Sequence, residues 1–440
     1  MSAREAAIAS IRFGLGPRPG ELAHASTDPR GWLAEQIRTA APASAALNGL
    51  APGRARMAEF QQALRNGPEA LQKALRAEFR EIYRAEAAAR TLAQVQSETP
   101  FRERLVAFWS NHFTVSIQRP PLLPLAGAFE REAIRPHVAG RFVDMLLAVA
   151  RHPAMLVYLD NAISVGPNSF AGQRRNRGLN ENLAREILEL HTLGVNGGYS
   201  QDDVRAFAKI LTGWSVTRIE DGSPGNFQFN PRLHEPGPKT LLGVRFGDGG
   251  ESEGVRAFTM LAHHPATARH IATKLARHFI ADNPPQAAVE RLARVYRDTE
   301  GDLGIVSLAL IEAKEAWKTP LGKVKSANDY IVSVARAVAF EGDAQKLLGS
   351  LRALGQLPFA APSPAGWPDT AEDWVGPESV LRRAEWAYAA ARRAARPPHD
   401  VLAATIGPLA AEPTMDAVEH APSATDGLAL VFASPEFQRR

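Results

Sequence analysis

The chain of 440 residues is predicted to be mainly α: a single large helical domain (1–440) with a long irregular insertion carrying at most a small β-hairpin. Three observations point there. Alanine dominates many stretches and aromatic residues make up only 7%, which favours helix over sheet. Apolar residues recur at spacings of three and four through most of the chain. Prolines and glycines crowd residues 215–253 instead, and no helical period survives there.

An N-terminal arm (1–53) opens with a helical segment, Ala6 to Phe13, followed by FGLGPRPGE. Gly14, Gly16 and Gly20 imitate a dinucleotide fingerprint, but no strand precedes them, and Pro17 and Pro19 argue against a phosphate-cradling helix start; a turn is expected. Residues 54–214 form the helical core. From Arg54 to Gln96 the helical pattern is interrupted at Gly67-Pro68, where proline suits a first turn, and Leu71, Leu75, Phe79 and Ile82 make an apolar stripe. Thr99-Pro100 opens another helix with Thr99 as N-cap. In its continuation, FRERLVAFWSNHF, the residues Leu105, Phe108, Trp109 and His112 share one side. A long helical region is expected from about Leu122 through Val149, then a polar loop from about Asp160 to Gly178. The segment LNENLAREILELHTLG reads as strongly helical and closes at Gly194. Ser200 and Asp203 then begin a helix with the stripe Val204, Phe207, Ala208 and Leu211, which Thr212-Gly213-Trp214 ends. In the insertion (215–253) only FQF and LLGVRF look like strands. C-terminal helices (254–440) follow, interrupted by the proline-rich loop PFAAPSPAGWPDTAEDW.

Composition excludes several classes of function. Hydrophobic residues at 45% and charged residues at 22% exclude disorder throughout, and no run approaches the ~18 apolar residues of a membrane span. Lys and Arg number 51 against 47 Asp and Glu, so the net +4 is a weak footprint for nucleic acid. With no cysteine, disulfides, zinc–thiolate sites, iron–sulfur clusters and cysteine nucleophiles all drop out. The start, MSAREAAIASIRFGLGPRPGE, lacks an export signal; cytoplasmic location is the expectation, and periplasmic if the chain is a mature form.

The blocks RLVAFWSNHFTVS, HPAMLVYLDN, NENLAREILELHTLGVNGGYSQDDVRAFAKILTGW, RLHEPGPKTLLG, APSPAGWPD and FASPEFQRR together resemble the bacterial domain of unknown function 1800 family, over nearly the whole chain and in the family's order. The resemblance implies a folded bacterial unit and no established activity. It also implies a protein partner, since genes of this family often neighbour those of a second one similar to sulfatases and alkaline phosphatases.

Several residues are candidates for chemistry. On the segment from Leu179 to Leu193, at about 100° per residue, Leu183, Ile187 and Leu190 face the core. Asn182, Arg185, Glu186 and Glu189 lie on the other side, with Glu186 half-buried. Two carboxylates three apart are an arrangement that general acid–base chemistry uses, or one that Arg185, Arg205 or Lys209 neutralises as a structural network. His191 and His112 read as core histidines bonded to backbone carbonyls, with Asn111 the more exposed neighbour. Arg174, Arg175 and Arg177 precede a helix start and either trap an anion or form a solvated charge run. The loop RLHEPGPKT offers His234, Glu235 and Lys239, stiffened by Pro236 and Pro238, shortly after Trp214. His270, Lys274 and His278, spaced by four, read as a solvated or partner-binding face. These residues support a non-redox hydrolase or transferase: Glu186, Glu189, His234 and Glu235 catalytic; Arg174, Arg175, Arg177, Asn182, Lys239, Trp214 and Asn111 binding an anionic small molecule or a glycan. No cofactor is evident, although Mg or Ca could sit on the glutamate pair. The alternative is a non-catalytic helical binding or assembly protein working with a phosphatase- or sulfatase-like partner.

Overall fold

Local signals set many of the helix ends. The computed structural model describes residues 3–40, 42, 44–175, 178–394 and 396–440, for Arg175 the backbone alone. Gly67, at φ 101°, separates the helix Gly53–Arg65 from Pro68–Arg76, and α1 (Glu78–Gln96) follows at once. Thr99 stands at the N-cap of α2 (Pro100–His112), but its side chain makes no capping bond, so Pro100 and its preset φ start this helix. Ser200 and Asp203 form a full capping box for the helix Gln201–Leu211, with Asp203 N donating to Ser200 Oγ at 3.2 Å and Ser200 N to Asp203 Oδ2 at 2.8 Å.

Elsewhere the regular period breaks. The long region expected from Leu122 to Val149 divides into Ala126–Phe129, a π turn Glu130–Ile134, a 3-10 turn Arg135–His137 and the helix Phe142–Arg151. Pro136 accounts for the break, since it has no N–H to continue the ladder. The segment from Leu179 to Leu193 is a short helix, Asn182–Glu186, running into a π turn, Ile187–His191. That turn adds a residue and rotates the positions after it by about 100°. Leu188 is therefore fully buried and Leu190 only half-buried, whereas a uniform helix puts Leu190 in the core.

The insertion holds two antiparallel pairs where one hairpin was expected. β1 (Trp214–Val216) pairs with β2 (Phe227–Phe229), placing Trp214 opposite Phe229, and β3 (Lys239–Leu241) pairs with β4 (Val244–Phe246). The fold remains mainly α. Helices resume with Glu251–His263 and α3 (Pro265–Phe279), whose first turn is capped by His264 Nδ1 accepting from Ala266 N at 3.1 Å. Ser326 Oγ accepts from Asp329 N at 3.1 Å and caps α4 (Ala327–Ala337).

The N-terminal arm is not peripheral. Ile8, Ala9 and Phe13 pack into the central apolar cluster, Ala7 and Ile11 join a second one with Tyr330 and Phe432, and Leu15 enters a third with Ile331 and Leu351. Arg336 of α4 fastens this arm: its fully buried guanidinium donates to the carbonyls of Gly16, Gln94, Val95 and Ser97 and to both oxygens of Glu21. At the other end, Arg440 pairs with Lys323 through backbone bonds of 3.0 and 2.8 Å, laying the last residues against the approach to α4. Among the described residues, no helix is long and apolar enough to cross a membrane.

Candidate functional site

A cavity of about 450 Å³ opens between α2, α3, the start of α4 and the loop 356–370, a volume typical of small-ligand sites. Five cationic side chains line it, Arg90, Arg104, Lys274, Arg277 and Arg440, against two carboxylates, Asp329 and Asp369. Phe108, Phe129, Phe359 and Trp367 supply aromatic walls.

Each element brings one part. Near the end of α2, Asn111 clamps the loop 356–370 by accepting from Trp367 N at 2.8 Å and donating to Trp367 O at 2.9 Å. Gly366, at φ 86°, allows this approach: a Cβ there would lie 2.5 Å from Asn111 O. The clamp delivers Asp369 to α3, where Asp369 Oδ2 lies 2.8 Å from His278 Nδ1. Asp369 also faces Arg440 Nη2 at 3.4 Å and Lys323 Nζ at 3.5 Å. Burial would raise its pKa, but the His278 ring first, and then Arg440 and Lys323, hold its carboxyl below the ordinary range. Burial lowers the pKa of His278 to about 4 although Asp369 opposes the shift, so the ring is neutral near pH 7. The neutral ring donates from Nδ1, which leaves Nε2 as a basic nitrogen; that atom is buried and has no partner. Asp329 sits between Arg104 Nη1 at 3.0 Å and Arg440 Nε at 3.1 Å, and its pKa falls to about 2 although burial opposes the shift. Arg104 Nη2 is buried without a partner.

The π turn contributes indirectly. The last carbonyls of a helix lack internal partners, and here Leu190 O lies 3.0 Å from His270 Nε2 and His191 O lies 3.1 Å from His112 Nε2. Both rings thus donate from Nε2, and His112 Nδ1 is buried without a partner. Gly194, at φ 85°, makes room for His270, whose Nδ1 would lie 2.8 Å from a Cβ there. Burial, reinforced by the charge of Lys274, lowers the pKa of His191 to about 3, that of His270 to about 4 and that of His112 well below its usual value. His191 is fully buried, as expected, but neither of its ring nitrogens has a partner, so the expected carbonyl bond is absent.

Of the residues expected to be catalytic or to bind substrate, Asn111 alone among the described residues lines this cavity. His112, His270, Lys274 and His278, read from the sequence as core or as a solvated or partner-binding face, line it as well. Glu186 and Glu189 are half-buried and do not line it. Burial and then the neighbouring Glu189 raise the Glu186 pKa, and Glu189 accepts from Tyr199 Oη at 3.5 Å. Arg185 and Arg205 pair with Glu181 at 2.9 and 3.5 Å, and Lys209 lies 3.8 Å from Glu235, so none of the three neutralises the glutamate pair by direct contact. His234 and Lys239 do meet, in a separate buried cluster: Lys239 Nζ is 3.2 Å from His234 Nε2 and 2.9 Å from Glu253 Oε2, while His234 Nδ1 lies 2.8 Å from Thr212 O. Glu235 turns to the loop 160–178, accepting from Asn168 N at 2.8 Å and Asn168 Nδ2 at 2.7 Å. Among the described residues no hydrogen bond or ion pair joins Glu186 or Glu189 to this basic loop. Trp214 is wholly buried against Phe227 and Phe258, and Asn182 is exposed. Arg174 is also exposed, with its guanidinium 4.0 Å above the Phe170 ring. Arg177 and the side chain of Arg175 lie outside the described residues.

Donor atoms of His234, Asp248 and Glu253 lie within 4.8 Å of one another, a spacing that could hold a metal ion. The ammonium of Lys239 already contacts two of the three, filling the cation's role.

The cavity residues that sequence reasoning passed over carried one visible signal, the i, i+4, i+8 spacing of His270, Lys274 and His278. Read as solvated, that face is instead covered by α2 and the loop 356–370. Asp329, Asp369, Arg104 and Arg440 showed no pattern, because they come from four distant parts of the chain.

Residues 8–439 match the model of the family described as "Protein of unknown function (DUF1800)". No curated protein and no solved structure matches the chain.

Proposed function

We propose that this chain, which belongs to that family, binds a small anionic substrate in the cavity between α2, α3 and the loop 356–370, and acts on it as a non-redox hydrolase or transferase. One observation carries the reading: cations outnumber carboxylates in the cavity wall, and Arg104 Nη2 is left buried without a partner. An unpaired buried donor is costly, by about 1–3 kcal/mol and more when charged, and a phosphate, sulfate or carboxylate would satisfy it. In this reading Arg104, Arg277 and Arg440 hold the anion. His278, with its tautomer held by Asp369, takes a proton at Nε2 from water or from an acceptor hydroxyl; the attacking oxygen forms the new bond as the ester oxygen leaves. A glycan bearing anionic groups fits the same class.

One observation favours a second reading, a non-catalytic binding protein that works with a phosphatase- or sulfatase-like partner: His278 Nε2 is sealed from solvent. Thermal unfolding in phosphate, sulfate and chloride at matched ionic strength tests the shared premise. Phosphate or sulfate should raise the melting temperature above that in chloride, by up to about 2.7 kcal/mol of linkage at a hundredfold excess over Kd. No difference refutes both readings. A shift with no turnover of aryl phosphates, aryl sulfates or sulfated oligosaccharides selects the binding protein. Turnover that falls by about 10²-fold or more in Asp369→Asn, with the anion shift kept, supports the enzyme.

A further inference from the structure

Each cation of the cavity wall except one is engaged. Arg90 bonds Glu130 at 2.6 Å, Arg104 and Arg440 bracket Asp329, and Arg277 Nε reaches Asp282 O at 3.3 Å. Lys274 makes no hydrogen bond and no ion pair among the described residues, although its side chain is half-buried in that wall. Structural lysines in the same chain look different. Lys239 is bound to Glu253 and His234, and Lys323 to Asp282 and to the carbonyl of Asp369.

Lys274 also has particular neighbours. On α3 it lies one turn from His270 and one turn from His278, on the same face. Both imidazoles use one nitrogen on a fixed acceptor, Leu190 O or Asp369, and leave the other as an unprotonated base. An amine set among cations and apolar walls, with no carboxylate in direct contact, is poised to be neutral and nucleophilic. Burial lowers its pKa to about 8, opposed by Asp369 and helped to a lesser degree by Arg277.

We propose that Lys274 is a carbonyl-reactive amine, and that the cavity takes a small aldehyde or ketone carrying a carboxylate or phosphate, which Lys274 binds as an imine. The proposal rests on the preceding reading only for the groups that hold the anionic end, Arg104, Arg277 and Arg440. The lysine nitrogen attacks the carbonyl carbon and forms the C–N bond as the C–O π pair moves onto oxygen. A proton passes from nitrogen to that oxygen, and loss of water gives the C=N bond. Nothing is oxidised or reduced, and the two hydrogens of the water come from the amine. His270 and His278 are the bases one turn away that can relay these protons.

The test uses the full chain with glyoxylate as probe and sodium cyanoborohydride to fix any imine, read by intact mass and peptide mapping. One carboxymethyl group should appear at Lys274, at least tenfold faster than at any other lysine. Labelling should rise with pH through about 8 and be suppressed by inorganic phosphate. Benzaldehyde, which has no anionic group, should label Lys274 at least tenfold more slowly. Lys274→Arg should abolish the selective label and keep the phosphate-induced rise in melting temperature; if that variant does not fold, mapping of the unaltered chain decides alone. Labelling spread evenly over surface lysines, or an unlabelled Lys274, overturns the proposal. If the phosphate shift persists in that case, the anion-binding reading survives; if both fail, it falls too.

Discussion

Asp329→Asn probes the electrostatics of the cavity with little change of shape. The carboxylate lies 3.0 Å from Arg104 Nη1 and 3.1 Å from Arg440 Nε, and both guanidinium groups are almost wholly buried. Asparagine keeps the side-chain volume, and the Ser326 cap bonds the backbone N–H at this position, which the substitution retains. The loss is confined to the anion between two buried cations. Removing one partner from a buried ionic group costs about 3–5 kcal/mol, chiefly because the survivors are left uncompensated. At about 2.1 cal/mol/K per residue, unfolding as one unit carries about 0.9 kcal/mol/K, so the melting temperature should fall by about 3–5 °C in chloride. Phosphate stabilises both proteins, but the variant has lost the carboxylate that competes for the two guanidinium groups and should bind it about tenfold more tightly, which returns about 1.4 kcal/mol, so the loss should shrink to about 2–4 °C. Scanning fluorimetry of both proteins in the two salts, at matched ionic strength, reads this directly. A loss below about 1 °C, or an equal loss in both salts, would refute the placing of two under-neutralised cations on a ligand cavity.

The same interactions predict other outcomes. Four buried histidines, His112, His191, His270 and His278, have folded pKa values below the ordinary 6.5, so only the unfolded chain takes up their protons as the pH falls. Their stability contribution is complete above pH 6.5 and is lost on acidification towards about 4, each adding up to about 1.4 kcal/mol per pH unit. Urea midpoints at pH 7 and pH 5 should therefore differ, and a flat profile would contradict the burial of these rings in neutral form. His191→Leu should flatten that profile by one histidine's share at little cost at pH 7, since neither ring nitrogen bonds anything. Arg336→Met should cost about 3–5 kcal/mol, because it strands Glu21 and several carbonyls. Arg336→Lys should recover part of that loss by restoring the charge without the planar fork; if chemical denaturation ranks the two variants equally, the fork has no role.

How much was legible in the sequence depended on the range of the interaction involved. Pro68 and Pro100 at first turns, the Ser200–Asp203 capping box and the turn around Gly16 obey rules spanning three or four residues, and all stand in the structure. The mainly α class was legible as well, because alanine content and apolar period are summed over many residues. Even here the period misled where the backbone departed from it. The π turn at Ile187–His191 put Leu188 in the core and half-exposed Leu190, and Trp214, placed at a helix end, became a strand residue opposite Phe229.

The cavity is of the other kind. Arg90, Arg104, Lys274, Asp329, Asp369 and Arg440 meet although 350 positions separate the first from the last, and no local rule links them. The order of amino acids alone specifies a helical chain, its caps and turns, and the face on which His270, Lys274 and His278 stand in line. Whether that face meets water or protein depends on long-range packing, in which Asn111 clamps Trp367 and the last residues pair with Lys323. Burial and charge are sums over neighbours brought from afar, so the pKa values, the unpaired donors and the chemistry they allow are properties of the packed chain.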